Sequence, residues 1–475
     1  MKTDEIGLPG GNTGSLSYLV LICLIATLGG LLFGYDTAVI SGAIGFLQTH
    51  FQLDAAMKGW AASSALAGCV LGVTIAGVLG DLFGRRNLLI VAALLFLASA
   101  IGTAIPRTFG QFVFFRIIGG LGVGTASMAS PLYIAEISPA AIRGRMVSIN
   151  QFAIVSGMLV VYFVNYFIAS LGDVEWNVST GWRWMFGSGV LPSVLLLCSL
   201  FFVPESPRFL AKQGRWEAAQ SVLARIGGPE HARRELQEIE TTIAEASAGI
   251  LQLANPRILG VLMVGVALAV LQQVTGINVF LYFAPEIFTR IAGSGMDAAL
   301  LQTVVVGGVN LLFTVIAIWT VDLLGRKPLM LIGYSGMALA LIGLGTAAYF
   351  EQTKMWVLLF MLGYIACFAL AVGPVTWVIL SEIFPMRIRG SAMSVATFCL
   401  WVANFVVSQT FPMLDDDPWL IRTFHHAFPF WLYAIFCLIS IMVVALFVPE
   451  TKGKSLEAIE RMWHGHSEAN DLPLK

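Results

Sequence analysis

Asp36 and Arg116 are charged residues set well inside apolar stretches, the first in Gly34-Tyr35-Asp36-Thr37 and the second just before a glycine run at Gly119-Gly120-Leu121-Gly122-Val123-Gly124. Near the centre of a bilayer an unpaired charge costs at least about 2.5–3.5 kcal/mol on insertion scales, so each needs a partner, and each is the other's obvious candidate. The pair admits two roles. It can be a static tie between helices, or it can hold a carboxylate that takes up and releases a proton. Burial disfavours the carboxylate's charge and the guanidinium favours it, so the balance can depend on which side of the molecule is open.

A second group is made of amides and aromatic rings. Gln272-Gln273-Val274-Thr275-Gly276-Ile277-Asn278 packs three amides into an apolar stretch, and Tyr282 follows Asn278 by one helical turn. Gln151, Asn310, Trp377 after Gly373-Pro374, and Trp401 with Asn404 add to them from other stretches. Amides and indoles suit a neutral, polyhydroxylated ligand, because each hydroxyl both donates and accepts while an apolar ring face stacks on an aromatic. Any one amide can equally be glue between helices. Gly276 beside Thr275 weakens the helix there, which lets it break and turn amides towards a cavity.

The third group is written twice. Asp81-Leu82-Phe83-Gly84-Arg85-Arg86 recurs as Asp322-Leu323-Leu324-Gly325-Arg326-Lys327. Glu136-Ile137-Ser138-Pro139 with Ile142-Arg143-Gly144 recurs as Glu382-Ile383-Phe384-Pro385 with Ile388-Arg389-Gly390, and Pro204-Glu205-Ser206 as Pro449-Glu450-Thr451. Repeated fixed points mean a duplicated chain. Each copy therefore should carry an ion-pair cluster at one end of its helices: Asp81, Arg85, Arg86, Glu136, Arg143 and Glu205 in the first, and Asp322, Arg326, Glu382, Arg389 and Glu450 in the second. Such a cluster closes one side of a two-state molecule and must break for the other state. The alternative is that these charges only mark the interface and hold orientation.

The elements that must position these residues are membrane helices. Apolar residues make up 57% of the 475, charged residues 12%, and mean hydropathy is +0.83, which a soluble chain of this length could not carry on its surface. About 20 apolar residues cross a bilayer as helix. Twelve stretches qualify, near 17–45, 59–80, 88–106, 109–133, 146–170, 182–203, 258–287, 299–321, 328–349, 355–381, 391–412 and 427–448. They divide into an N-terminal tail (1–16), a six-helix bundle (17–203), a polar linker (204–257), a second six-helix bundle (258–448) and a C-terminal tail (449–475). Within the linker, Trp216–Ala224 and Ala232–Ala246 alternate charge and apolar residues at helical spacing and read as short amphipathic helices.

Loops after even-numbered spans collect Arg85, Arg86, Arg143, Arg145, Arg326, Lys327, Arg387 and Arg389, against only Lys58, Arg107, Arg183, Arg290, Lys354 and Arg422 opposite. The bias puts both termini and the linker in the cytoplasm. Neither a basic leader nor a cleavage pattern precedes the first span, so no signal peptide is expected. A net charge of −1 gives no hint of a nucleic-acid partner. Cys23, Cys69, Cys198, Cys367, Cys399 and Cys437 all fall within spans without metal-ligand spacing and read as small apolar fillers. The six histidines sit in loops or tails without carboxylates spaced as a catalytic set, so neither an enzyme nor a cofactor is indicated. Glycines at 119–124 inside a span read as close helix packing rather than as a dinucleotide loop.

At these residues the chain resembles the sugar porters of the major facilitator superfamily, from about Ser17 to Glu460. The phrases that carry it are Gly34-Tyr35-Asp36, Gly84-Arg85-Arg86, Arg116 with Gly119–Gly124, Pro204-Glu205-Ser206-Pro207-Arg208, Gln272-Gln273 with Gly276-Ile277-Asn278, Gly325-Arg326-Lys327 and Pro449-Glu450-Thr451-Lys452-Gly453. The resemblance implies two six-helix bundles with short cytoplasmic helices, a monosaccharide and a proton as partners, no cofactor, and a cell-membrane protein functional as a monomer. It implies Gln151, Gln272, Gln273, Asn278, Asn310 and Trp377 as sugar contacts, Trp401 and Phe33 as pocket lining, and Tyr282 at an outer gate. Asp36 would be the proton-linked carboxylate with Arg116 its partner; facilitative members carry an amide at that position, so Asp36 favours symport over uniport. A non-transporting sugar receptor is disfavoured by the short tails. Met158, Leu400 and Leu82 depart from the pattern of proton-coupled pentose porters: the first two stand where such porters have glutamine, the third where a basic residue is common. The choice between D-xylose and a D-glucose-like sugar therefore stays open.

Overall fold

Every backbone polar group in a hydrocarbon layer must be satisfied within its own segment, and the chain meets that demand with helices throughout. The computed structural model describes residues 15–139, 142–245, 256–291, 293, 295–351, 355–384 and 389–452. Among these there is no strand. Twelve helical spans are long and apolar enough to cross a membrane: Leu16–Phe51, Ala55–Phe83, Arg85–Ala104, Phe109–Ile137, Arg143–Ala169, Val174–Leu200, Leu259–Tyr282, Met296–Val321, Arg326–Tyr349, Trp356–Ile383, Gly390–Asp415 and Phe428–Phe447. Leu21, Val78, Leu191, Phe202, Leu339 and Leu446 are exposed, as lipid-facing positions should be.

Several helices outrun the apolar stretches that announce them. The second continues to Phe83 and the fourth to Ile137, carrying Asp81 and Glu136 into their last turns. Hydropathy falls where the charges begin, but the helix does not end until a breaker arrives. Gly84 and Gly325, both near φ +90°, supply two of the breaks. The linker holds three short helices, Pro207–Lys212, Trp216–Gly227 and Pro229–Glu245. The last two correspond to the expected amphipathic pair, with residue 246 outside the described part.

The chain forms two compact units. The first takes the chain up to Val39, Ala67–Val164 and the stretch from Thr180 into the linker. Its glycines let backbones touch: Gly68 lies against Ile117 and Gly120, Gly72 against Leu121, and Gly124 against Cys69 and Val73. The run at 119–124 is thus a helix-packing face. The second unit takes Ile40–Leu66, Asn165–Ser179 and the chain from Ala248 on. One end of the first, second, fifth and sixth spans therefore packs with the second six spans. The boundary at Val39 coincides with an interruption of the first span between Ala38 and Ile40.

Candidate functional site

In the first unit the interruption of the first span falls just after Asp36. Thr37 turns its hydroxyl back onto the carbonyls of Phe33 (2.8 Å) and Gly34 (3.2 Å), a competition with the helix that favours bending. Arg116 reaches this point from the fourth span. Its Nη1 donates to Asp36 Oδ2 at 3.3 Å and to the Asp36 carbonyl at 3.0 Å, and the guanidinium lies over the Phe186 ring at 5.5 Å. Arg116 is 1% exposed. Beside the pair is a cavity with room for about one water, bounded by Tyr35, Asp36, Thr103, Phe186, Gly189 and Ser193. Tyr35 closes part of its wall by sharing a 2.7 Å hydrogen bond with Ser188 Oγ. The carboxylate thus has a charge partner on one side and a small, largely apolar cavity on the other. Gln151 and Phe33, also in this unit, are half-buried, and Met158 is buried.

In the second unit the seventh span breaks where Gly276 stands, at φ +90° and ψ 13°. No other residue fits. The left-handed backbone disfavours any Cβ, and a Cβ there would also meet the Tyr433 ring. Carbonyls freed by the break are taken up locally, with Gly276 N–H donating to Gln273 O (3.0 Å) and Tyr364 Oη–H to Thr275 O (2.9 Å). Across the break runs a relay of amides. Asn278 Nδ2 donates to Gln273 Oε1 (2.6 Å), and Gln273 Nε2 to Gln272 Oε1 (3.2 Å). Gln272 Nε2 in turn donates to the carbonyls of Val372 (3.2 Å) and Gly373 (3.1 Å).

Those two carbonyls are accessible because the tenth span is itself irregular. It widens into a π turn over Phe368–Val372 just before Pro374, which has no N–H to give to the preceding turn. The glutamine at 272 is therefore committed to the backbone of the tenth span, while Gln273 and Asn278 keep one free N–H each and Asn278 its carbonyl oxygen for a ligand. Asn310, Trp401 and Asn404 are buried and Trp377 is half-buried in the same unit; Asn404 accepts from Ser408 Oγ at 3.1 Å. Tyr282 ends the short helix Ile277–Tyr282 and is buried. Leu400 is buried as well.

The repeated charges assemble twice in matching form. In the first unit Arg85 bonds Glu136 (Nε to Oε1, 3.1 Å) and Asp81 (Nη1 to Oδ1, 3.1 Å). Glu205 accepts from the N–H groups of Arg85 (2.9 Å), Arg86 (3.1 Å) and Ser206 (2.8 Å), and so caps the third span from outside it. Ser206 Oγ closes the ring on Glu136 Oε2. Arg86 spends its side chain on the carbonyls of Leu200 and Phe201. In the second unit Arg326 Nη2 bonds Glu382 (3.0 Å), Thr451 Oγ1 donates to Glu382 Oε2 (2.5 Å), and Glu450 accepts from the N–H groups of Arg326 (3.1 Å), Lys327 (3.0 Å) and Lys452 (2.8 Å). Burial works against the charge of Glu450, yet these backbone donors outweigh it and hold the carboxyl below its ordinary range.

Arg143 departs from the expected cluster. It is exposed and donates from Nε to Ser138 O at 3.4 Å, because its helix begins at that residue and the side chain folds back over its own N-terminal turn. The side chains of Asp322 and Arg389 lie outside the described residues.

Three groups escaped the sequence reading. Lys58 and Glu286 form a buried ion pair at 2.6 Å. Arg290 reaches Asp415 at 2.8 Å and also Asp416, and Asp415 meets His426 Nδ1 at 3.1 Å. Ser130 Oγ lies within hydrogen-bond distance of both Ala26 O (2.6 Å) and Asn150 Oδ1 (2.8 Å), sharing its one proton between them. The signal for the first was present: Lys58 stands only a turn inside its helix and Glu286 follows Phe283-Ala284-Pro285 closely, but flanking charges of this kind usually face water.

Comparison with known proteins agrees with this geometry. The family model for "Sugar (and other) transporter" matches residues 22–463. The D-xylose-proton symporter of Escherichia coli (strain K12) is 47% identical, the match covering 94% of this chain and 96% of that one. The arabinose-proton symporter of Bacillus subtilis (strain 168) is 44% identical, covering 97% and 98%. A solved structure of the Escherichia coli xylose transporter in a partially occluded inward-open conformation superposes with a TM-score of 0.83 at 45% identity, covering 92% of this chain and all of that one. With a duplicated set of twelve helices, a broken seventh span and a family match along nearly its whole length, this chain belongs to the sugar transporter family of the major facilitator superfamily.

Proposed function

We propose that this protein is a monosaccharide:proton symporter working by alternating access, with D-xylose or a D-glucose-like sugar as its substrate. The observation that carries the proposal is the buried Asp36–Arg116 pair beside a water-sized cavity. The names of the two relatives support proton coupling and favour a pentose among the candidate sugars.

In this scheme Asp36 binds the transported proton. Protonation removes Arg116's charge partner while leaving its bond to the Asp36 carbonyl, so the helices stay joined as the electrostatic tie is released. Gln273 and Asn278 offer the sugar the open ends of the amide relay, and Gln272 fixes that relay to the tenth span. Asn310, Trp377, Trp401, Gln151 and Phe33 are the further sugar contacts of this reading, with Tyr282 at the gate. Met158 and Leu400 put apolar surface where a glutamine would have bonded a hydroxyl. Each lost bond to a sugar hydroxyl that stays buried costs about 1–3 kcal/mol, which retunes preference among sugars without abolishing binding.

In this reading the chain acts as two six-helix bundles, 17–203 and 258–448, joined by the linker 204–257. Its arginine-rich loops support cytoplasmic termini and linker, in the plasma or bacterial inner membrane. The reading takes a single chain as the functional unit.

Facilitated diffusion is the second reading. The observation in its favour is that Arg116 also holds a backbone carbonyl, a structural task needing no proton. Asp36→Asn separates the two. Under symport it abolishes gradient-driven accumulation and spares sugar counterflow; accumulation at the wild-type level would take Asp36 out of coupling.

A further inference from the structure

Lys58 is 1% exposed although it stands near the start of the second span, where a lysine would ordinarily extend its ammonium to water. Its Nζ lies 2.6 Å from Glu286 Oε2, with the two side chains 2% and 13% exposed. Glu286 is in the first turn of the helix Ala284–Arg290, which continues the chain directly beyond Tyr282 and Phe283. A pair this enclosed is costly to desolvate and cannot be split without leaving a buried charge. It is held at the end of the second span opposite to Asp81.

Around it the start of the second span is fastened to the eleventh by polar bonds. Gln409 Nε2 donates to Ala56 O (3.0 Å), and Ser63 Oγ donates to Gln409 Oε1 (2.7 Å). Gly59 gives the backbones room to approach at that level, where a Cβ would strike the Gln409 carbonyl. The Ala284–Arg290 helix is thereby tied at two points of different kind. Arg290, one turn after Glu286, holds Asp415 and Asp416 in the same repeat of the sequence. Glu286 makes the ion pair that ties it to a residue of the first repeat.

We infer that Lys58–Glu286 is a releasable latch on the Ala284–Arg290 helix, and that Lys58 is a positioning residue for the transport cycle. This rests on the transporter reading above, which places that end of the molecule outside the cell. A tie between segments from different repeats biases a conformational equilibrium by the interaction it makes in one state and loses in the other. When the latch parts, both charges must be hydrated while the Arg290 anchor travels with the helix.

The test is hydrogen–deuterium exchange of residues 277–290 in the purified full-length protein, beside sugar counterflow. Lys58→Met should speed exchange in that segment about tenfold and lower the external half-saturation concentration, since the competent state becomes more populated. Glu286→Gln should do the same, and serves alone if Lys58→Met does not reach the membrane. The double variant should match either single one, because the two substitutions remove one shared interaction. Unchanged exchange in the single variants, or a double variant whose effect is the product of the two, overturns the latch. The two readings fail separately: absent counterflow in the wild type with exchange responding as above removes the sugar reading and keeps the latch, whereas normal counterflow with unresponsive exchange removes the latch alone.

Discussion

At the scale of single residues, the pairs fall into those the membrane forces and those the fold chooses. Asp36 and Arg116 could be matched from sequence because a charge in hydrocarbon needs a partner and few were on offer. Lys58 and Glu286 could not, since each stands near a helix end and reads as an ordinary flanking charge; only packing reveals that water has been excluded from them. His426 is a third case. Its Nδ1 is 3.1 Å from Asp415, which also holds Arg290. The hydrogen bond to Asp415, partly offset by burial, raises the imidazole above its ordinary value of 6.5. A raised folded-state value means that the protonated tie stabilises fully below about pH 6.5 and is lost as pH climbs through the folded value. For a partly exposed pair the effect is up to about 1 kcal/mol. Thermal unfolding of His426→Asn at pH 6 and pH 8 should therefore show a smaller difference between the two than wild type; an unchanged difference would remove His426 from this role.

Elements show where sequence reading stops. The break at Gly276 was visible from its glycine beside Thr275, whereas Gly84 and Gly325 were read only as parts of a repeated phrase; all three take positive φ. The π turn at Phe368–Val372 was not, because Gly373-Pro374 announces an irregularity without saying that the helix widens rather than kinks. Consequently the amides at 272 and 273 could be read as ligand groups, but not divided into one that anchors to the tenth span and one that stays available. Helix ends were misjudged for a related reason. Glu136 stays helical and enclosed because Arg85 and Ser206 meet its charge, so polarity there does not mean exposure to water, whereas Asp81 ends its helix exposed. The glycine at 276 bears a prediction of its own. Gly276→Ala combines a left-handed backbone costing a Cβ-bearing residue about 1–3 kcal/mol with a collision against Tyr433. Counterflow should fall at least tenfold while expression persists; near wild-type transport would mean that the break does not position the amides.

At the scale of the whole molecule, the duplication explains more than symmetry. Arg85, Glu136, Glu205 and Ser206 in one repeat are answered by Arg326, Glu382, Glu450 and Thr451 in the other, down to a carboxylate capping the helix that follows a left-handed glycine. By contrast Asp36–Arg116 and the amide relay are each present in one repeat only. The charged cluster is duplicated, whereas the buried ion pair and the amide relay are not. Compact units do not follow the repeat boundary either: one end of the first, second, fifth and sixth spans packs with the second repeat, and the first span is interrupted where the change occurs, at Val39. The repeat and the spans were legible because they are written in composition and in motifs. The grouping of helix ends into units was not, because it depends on tertiary packing that neither composition nor motifs spell out.

The central claim is that sugar and proton move together through Asp36. It is tested most directly by adding D-xylose, and separately D-glucose, to lightly buffered, de-energised cells or vesicles containing the protein while following external pH. The account predicts prompt alkalinisation with the transported sugar, absent with the other and absent in Asp36→Asn. Sugar entry with no alkalinisation would contradict it, and would leave Asp36 as a structural partner of Arg116 in a facilitator.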